Sequence, residues 1–190
     1  MISTNIKIPL SQRKKALIIV DVQSAFLNER NEYVVDNILK ILERVQYDLY
    51  VEATFHAEKG SLWETQQQWI CPKGERTNTV EKLALKLKEI DPIKVDKETK
   101  SAFKGNKNVA KALKAAGIQE VHVVGLDTND CVLATAYESF DMGFLTYVIE
   151  EGCQSSSSDA LHQHGLKILQ GQNMTNNSCA EKVEFEFISE

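Results

Sequence analysis

Apolar residues follow two rhythms along this chain. Short, largely apolar runs at 16–20, 49–55, 121–124 and 145–149 read as strands, as does the short, more polar stretch 93–97, and an alternating run at 183–188 reads as a sixth. The first of them, Ala16-Leu17-Ile18-Ile19-Val20, is apolar at every position, as expected of a central parallel strand covered on both faces. Between the runs, spacing changes to three and four residues. Val34, Ile38, Ile41, Leu42 and Val45 mark a helix over 33–45, and Val80, Leu83, Ala84 and Leu87 mark another over 80–87. A third covers 108–116 and ends at Gly117, a fourth carries Val132, Ala136, Ser139 and Phe140, and a fifth runs to Leu169 behind a cap in the serine run 155–158. Such alternation predicts one domain over 1–190, a three-layer α/β/α Rossmann-like fold with a six-stranded, mainly parallel sheet. Residues 1–14 read as a polar lead-in, 60–74 as an irregular segment with Trp63, Trp69 and Pro72, and 100–105 and 171–180 as loops.

Composition narrows the class. The chain has 190 residues, 43% hydrophobic and 26% charged, enough for a proper core. A net charge of −5 disfavours long-range attraction to nucleic acid or an anionic membrane surface, and no apolar run approaches the roughly 20 residues of a membrane span. The four cysteines, Cys71, Cys131, Cys153 and Cys179, lack metal-ligand spacing and are too few for a disulfide scaffold. A reduced, cytoplasmic protein is expected, so the sequons at Asn173 and Asn176 are read as chance.

Chemistry gathers at the strand ends. Gly125 closes the apolar run Val121-His122-Val123-Val124, and a helix starts shortly after, with Thr128 or Asn129 as its natural N-cap. Cys131 therefore falls in the first turn of a helix that follows a central strand, where the helix dipole favours the thiolate. Asp21 ends the first strand and Lys97 the third. Asp21 is read either as a turn cap or as a functional carboxylate, because a charge at a buried strand end needs a partner. In a parallel sheet these ends share one edge, so carboxylate, ammonium and thiol can converge into an activated cysteine.

Three stretches carry a family resemblance: Asp21-Val22-Gln23 with Phe26, Lys97 four residues before Ser101-Ala102-Phe103, and Gly125-x-x-Thr128-x-x-Cys131-Val132. In this order they resemble the motifs of the isochorismatase-like cysteine hydrolases, which include nicotinamidase, N-carbamoylsarcosine amidohydrolase and isochorismatase. The resemblance covers residues 16 to about 168. It implies a catalytic triad of Asp21, Lys97 and Cys131, and a cis peptide at Leu126–Asp127 whose Asp127 N–H forms an oxyanion hole with the N–H of Cys131. Gln23, Phe26, His56, Trp63 and Phe103 are the pocket candidates, with Trp69 a further aromatic that either lines the pocket or simply packs. A small-molecule substrate and a homodimer or homotetramer are implied as well.

Two departures from the family pattern matter. Nicotinamidases of this family carry a metal site whose carboxylate and second histidine are here Thr54 and Ile70, leaving His56 alone. One imidazole does not make a stable site, so no metal and no cofactor are expected. Asp127 stands where many relatives have a small residue; it either points away from the oxyanion hole or binds a cationic or hydroxyl-bearing substrate group. His162 and His164 are read as packing or surface residues, and Lys94, Lys100 and Lys104 as solvated charges. The leading expectation is a metal-independent cysteine hydrolase of a small amide, ureido or related C–N compound. The alternatives are an isochorismatase-type vinyl-ether hydrolase with Asp21 as acid, and an inactive binding or scaffold member.

Overall fold

A computed structural model describes residues 6–179 and 184–188. Its elements in chain order are β1 (Ile6–Leu10), β2 (Lys15–Val20), α1 (Tyr33–Arg44), β3 (Leu49–Phe55), α2 (Leu62–Thr65), α3 (Glu81–Ile90), β4 (Ile93–Lys97), α4 (Val109–Ala115), β5 (Glu120–Gly125), α5 (Cys131–Asp141), β6 (Leu145–Cys153), α6 (Asp159–Gln170) and β7 (Glu184–Ile188). Five strands pair in the order β4-β3-β2-β5-β6. Every neighbouring pair is parallel, and helices flank the sheet in the expected α/β/α manner. The central strand β2 is buried throughout its apolar run, Ala16 to Val20 each being at most 1% exposed. α1 buries Val34, Val35, Ile38, Ile41 and Leu42 on the stripe that its spacing predicts.

The sixth expected strand does not join this sheet. β7 pairs antiparallel with β1 in a separate two-stranded ribbon, so the sheet has five strands. The stretch read as a polar lead-in thus contains a strand; Ile6 and Ile8, two residues apart, are both fully buried. Residue 183, the first of the expected strand, lies outside the described residues. β6 runs past the expected end at 149 to Cys153, through Glu150 and Glu151. The side chains of these two glutamates accept hydrogen bonds from Gln170 (3.0 Å) and Asn176 (2.8 Å), which makes acidic residues tolerable in that strand.

The order of strands creates the crevice on which everything else depends. From β2 the chain winds outward through β3 and β4, then returns to β5 on the other side of β2. The switch point lies between β2 and β5, and ligands of open α/β sheets bind beyond the strand ends there. The two strands approach so closely at this edge that only glycine fits at 125. Its φ is +121°, and a Cβ would stand 2.0 Å from the carbonyl oxygen of Val20. The N–H of Leu126 donates to that same oxygen at 2.8 Å, carrying β5 directly into the loop before α5.

Candidate active site

Asp21, Lys97 and Cys131 come together beyond the ends of β2 and β4 and at the start of α5. Lys97 Nζ donates to Asp21 Oδ2 at 2.7 Å and to the Thr99 carbonyl at 3.0 Å, and its ammonium stands 5.1 Å from the centre of the Phe55 ring. Both side chains of the ion pair are shut off from solvent. The backbone of Asp21 is left-handed, with φ +53°, and its N–H donates to the carbonyl of Ala53 on β3. Asp21 Oδ1 is buried without a conventional hydrogen-bond partner among the described residues, while the Cys131 thiol interacts with the carboxylate.

Burial pushes the Asp21 carboxyl up to about 6, even though Lys97 pulls the other way. The Cys131 thiol is also pushed up, first by burial and then by Asp21, and Lys97 only partly offsets this. The expected low-pKa thiolate is therefore corrected: desolvation and carboxylate neighbours outweigh the helix terminus. The resting pair is a thiol beside a carboxyl that burial also pushes upward.

The entry into α5 also differs from expectation. Asp130, not Thr128 or Asn129, occupies the N-cap position, and its side chain makes no capping hydrogen bond. It forms an ion pair with Lys100, so Lys100 is no freely solvated charge. Lys104 is likewise paired, with Glu138 at 2.9 Å. Thr128 Oγ1 instead bonds the buried His162 Nδ1 at 2.8 Å, and Asn129 Oδ1 accepts from Ser155 Oγ. His162 is thus a packing residue that holds the loop.

The Leu126–Asp127 peptide is cis. The carboxylate of Asp127 turns to Ser156, accepting from its N–H at 2.8 Å and its hydroxyl at 2.7 Å. Two hydrogen bonds thus hold the group whose direction the sequence left open. Neither the N–H of Asp127 nor that of Cys131 donates to an acceptor among the described residues.

A cavity of about 240 Å³ opens over the thiol. Phe26, Phe55, Trp63 and Trp69 wall it, with Leu126. The rings interlock: Phe55 to Trp63 centres are 4.6 Å apart, Phe55 to Trp69 5.8 Å, and Phe26 to Trp69 6.1 Å. Asp21, Asp127, Asp130, Ser156, Ser157 and Gln67 add its polar lining.

Two of the five named pocket candidates, Phe26 and Trp63, line this cavity, and Trp69 joins them; the other three do not. Gln23 is fully buried and ties strand ends together, donating to the carbonyls of Phe55 (3.0 Å) and Thr77 (2.6 Å) and accepting from the N–H of Phe55 (2.7 Å). Phe103 packs in the core against Phe144. His56 points outward toward Asp96, its ring nitrogen 3.8 Å from the carboxylate. Phe55, Gln67, Leu126, Asp130 and the pair Ser156 and Ser157 were not named as pocket candidates. Phe55, at the end of a strand beside the central one, was findable from the switch-point rule. The serines read only as a helix cap, a role that Ser158 alone fills, its Oγ accepting from the N–H of Leu161 at 3.2 Å.

The positions that the resemblance ties to a metal do not fit one. Thr54 Oγ1 is engaged with Asp96 Oδ1 at 3.1 Å, Ile70 has no donor atom, and among the described residues no three His, Cys, Asp or Glu side chains cluster suitably. No helix among the described residues is long and apolar enough to cross a membrane.

The fold is a doubly wound α/β sheet, with Asp21 and Cys131 lining a cavity at its switch point. The chain belongs to the isochorismatase family: the Isochorismatase domain matches residues 15–181. It is 34% identical over 154 residues, 74% of this chain and 73% of the relative, to the uncharacterized isochorismatase family protein YrdC of Bacillus subtilis. Among solved structures it is similar to an isochorismatase-like hydrolase from Alkaliphilus metalliredigens (TM-score 0.72, 23% identity, 85% of this chain and 92% of that chain). It is also similar to the nicotinamidase PncA from Bacillus subtilis (TM-score 0.70, 21% identity, 85% and 97%). At these identities the structural likeness is one of fold.

Proposed function

We propose that this hydrolase is a metal-independent cysteine enzyme cleaving the C–N bond of a small amide, ureido or related compound. The observation that carries this reading is the buried Asp21–Lys97 ion pair beside the Cys131 thiol at the floor of an aromatic cavity. In the first step Cys131 Sγ attacks the carbonyl carbon while Asp21 takes the thiol proton. Lys97 is a positioning residue that holds Asp21 in place. The oxyanion of the tetrahedral intermediate meets the N–H groups of Asp127 and Cys131, which have no acceptor of their own among the described residues. Collapse breaks the C–N bond, and the leaving amine takes the proton from Asp21. Water then attacks the thioester, Asp21 accepts its proton, and the acid leaves as the thiol is restored. The cavity, at about 240 Å³, is below the roughly 300 Å³ at which pockets for drug-sized ligands begin, so the substrate is small.

The test is intact mass spectrometry of the protein mixed with amides, ureas and carbamoyl compounds. A trapped acyl adduct on Cys131, with turnover abolished in a folded Cys131→Ala variant, is the expected result. Undiminished turnover in that variant would end the reading. A carboxyl raised to about 6 also favours a second reading, in which protonated Asp21 cleaves a vinyl ether. Asp21→Asn would then abolish activity while Cys131→Ala would not.

A further inference from the structure

Ser156 is hydrogen-bonded on two sides. Its N–H and hydroxyl hold the Asp127 carboxylate, while its carbonyl accepts from Arg30 Nη2 at 2.8 Å and from Asn28 Nδ2 at 3.1 Å. Arg30 Nη2 also donates to the Ser157 carbonyl, at 2.9 Å. Among the described residues no backbone N–H donates to either carbonyl, so these two side chains supply what their oxygens accept. β5 lies between β2 and β6, so the three bonds tie the loop after β2 to the loop after β6 across the end of β5. The β2 side of this bridge is itself fixed. Asn28 Oδ1 accepts from the N–H of Arg30 at 3.0 Å, and the N–H of Asn28 donates to Oδ1 of the buried Asn31 at 2.7 Å. Asn31 Nδ2 in turn donates to the carbonyl of Phe26 at 2.8 Å, and Phe26 walls the cavity.

Asp127 brings two opposed groups to one place. Its N–H is the oxyanion donor of the proposed mechanism, and a carboxylate hangs from the same residue. Rotation about χ1 moves that carboxylate among staggered positions, and in the observed one Ser156 takes it. Released from Ser156 and turned toward the oxyanion, it would oppose the charge that the N–H stabilises. We infer that Arg30 is a positioning residue of the oxyanion hole: by fixing the carbonyls of Ser156 and Ser157 it keeps Ser156 against Asp127, and so keeps a negative charge off the developing oxyanion. This rests on the cysteine-hydrolase reading, but it can be measured without the natural substrate.

Propionaldehyde is the probe. Cys131 Sγ adds to its carbonyl carbon, the C=O π pair moves onto oxygen, and the thiol proton passes to Asp21; nothing leaves. The oxygen of this reversible adduct sits where the oxyanion would. Iodoacetamide alkylates the same thiol with loss of iodide and forms no oxyanion, so its rate controls for access and thiol acidity. The quantity measured is the aldehyde concentration that halves iodoacetamide labelling of Cys131, read by peptide mass spectrometry. Arg30→Ala, which removes an exposed side chain, is expected to raise that concentration at least about fivefold, a fraction of the hundredfold or more lost with a whole oxyanion donor. Labelling without aldehyde should barely change. Arg30→Lys, which keeps the charge but not the planar fork, should fall between parent and Arg30→Ala. In an Asp127→Asn background no charge is left to restrain, and Arg30→Ala should then cost less than about twofold. An equal loss in both backgrounds would mean that Arg30 only stiffens the loop, and no loss in the parent background would mean that it does not act on the site. Either result overturns the inference while leaving the hydrolase reading intact. A parent chain whose labelling the aldehyde fails to slow rejects addition at Cys131, and the hydrolase reading falls with it.

Discussion

Lys97 reaches Asp21 from a strand two places away, Nζ to Oδ2 at 2.7 Å, and both side chains are closed to water. Each therefore compensates the buried charge of the other. Removing the ammonium leaves an uncompensated buried carboxylate, a change that costs about 3–5 kcal/mol in buried pairs generally. Lys97→Ala is expected to lower the denaturant midpoint markedly and to push the Asp21 carboxyl further above its present position, since Lys97 is what holds it down. Lys97→Ala combined with Asp21→Asn should recover much of the lost stability. A double variant no more stable than the single one would show that the pair is not coupled.

The pH dependence has a sign that can be worked out. Asp21 has its carboxyl at about 6 in the folded chain against 3.8 for the free group, so the folded chain binds more protons between these values. The contribution of this group to stability is then fully present below about 4 and is lost as pH rises through about 6. Attack by the thiol needs the carboxylate, so kcat/KM should rise with pH through the same window. Activity and this part of the stability thus move in opposite directions. Denaturation of the parent and Asp21→Asn chains at several pH values checks the first, since the variant should lack that segment of the slope. A rate that instead falls through about pH 6 would favour the vinyl-ether reading.

Cys131 should behave as an ordinary or reluctant thiol when no substrate is present. Burial and the neighbouring carboxylates push its titration well up, so thiolate absorbance near 240 nm should appear only in alkaline solution. The difference spectrum between the parent and Cys131→Ala chains isolates it. A thiolate signal already complete at pH 7 would show that the helix terminus prevails over burial after all.

How far the sequence could be read follows from the same physics. The central strands of the sheet were legible because a parallel strand covered on both faces is apolar almost throughout, as at 16–20. Convergence of Asp21, Lys97 and Cys131 was legible because the ends of parallel strands share one edge. The ribbon of β1 and β7 was missed because it joins chain segments almost the full length apart, and pairing of that range leaves no local mark. Among the pocket residues, composition could not tell Phe26, which faces the cavity, from Phe103, which packs against Phe144. Nor could it show that Ser156 faces Asp127 while Ser158, two residues on, caps a helix. These depend on the direction of single side chains.

Gly165 gives a last prediction, made at a distance from the chemistry. It lies on α6 against the backbone before α5, and a Cβ there would stand 2.9 Å from Asn129 Cα and 3.0 Å from Asn129 N. That backbone has little freedom to yield: Thr128 is held by Gln154 through its N–H (3.1 Å) and by His162 through its hydroxyl (2.8 Å), while Asn129 is held by Ser155. Alanine is preferred over glycine inside a helix by about 1 kcal/mol, whereas overpacking costs typically about 1–3 kcal/mol. Gly165→Ala is therefore expected to lower the melting temperature by a few degrees rather than raise it. Activity should suffer more, because Cys131 lies two residues beyond the displaced Asn129 and misplacement of about 1 Å can cost as much as a hundredfold in rate. Calorimetry and steady-state kinetics on the same preparation separate the two effects. A variant that melts higher and keeps its kcat would mean that the loop is not seated by this contact.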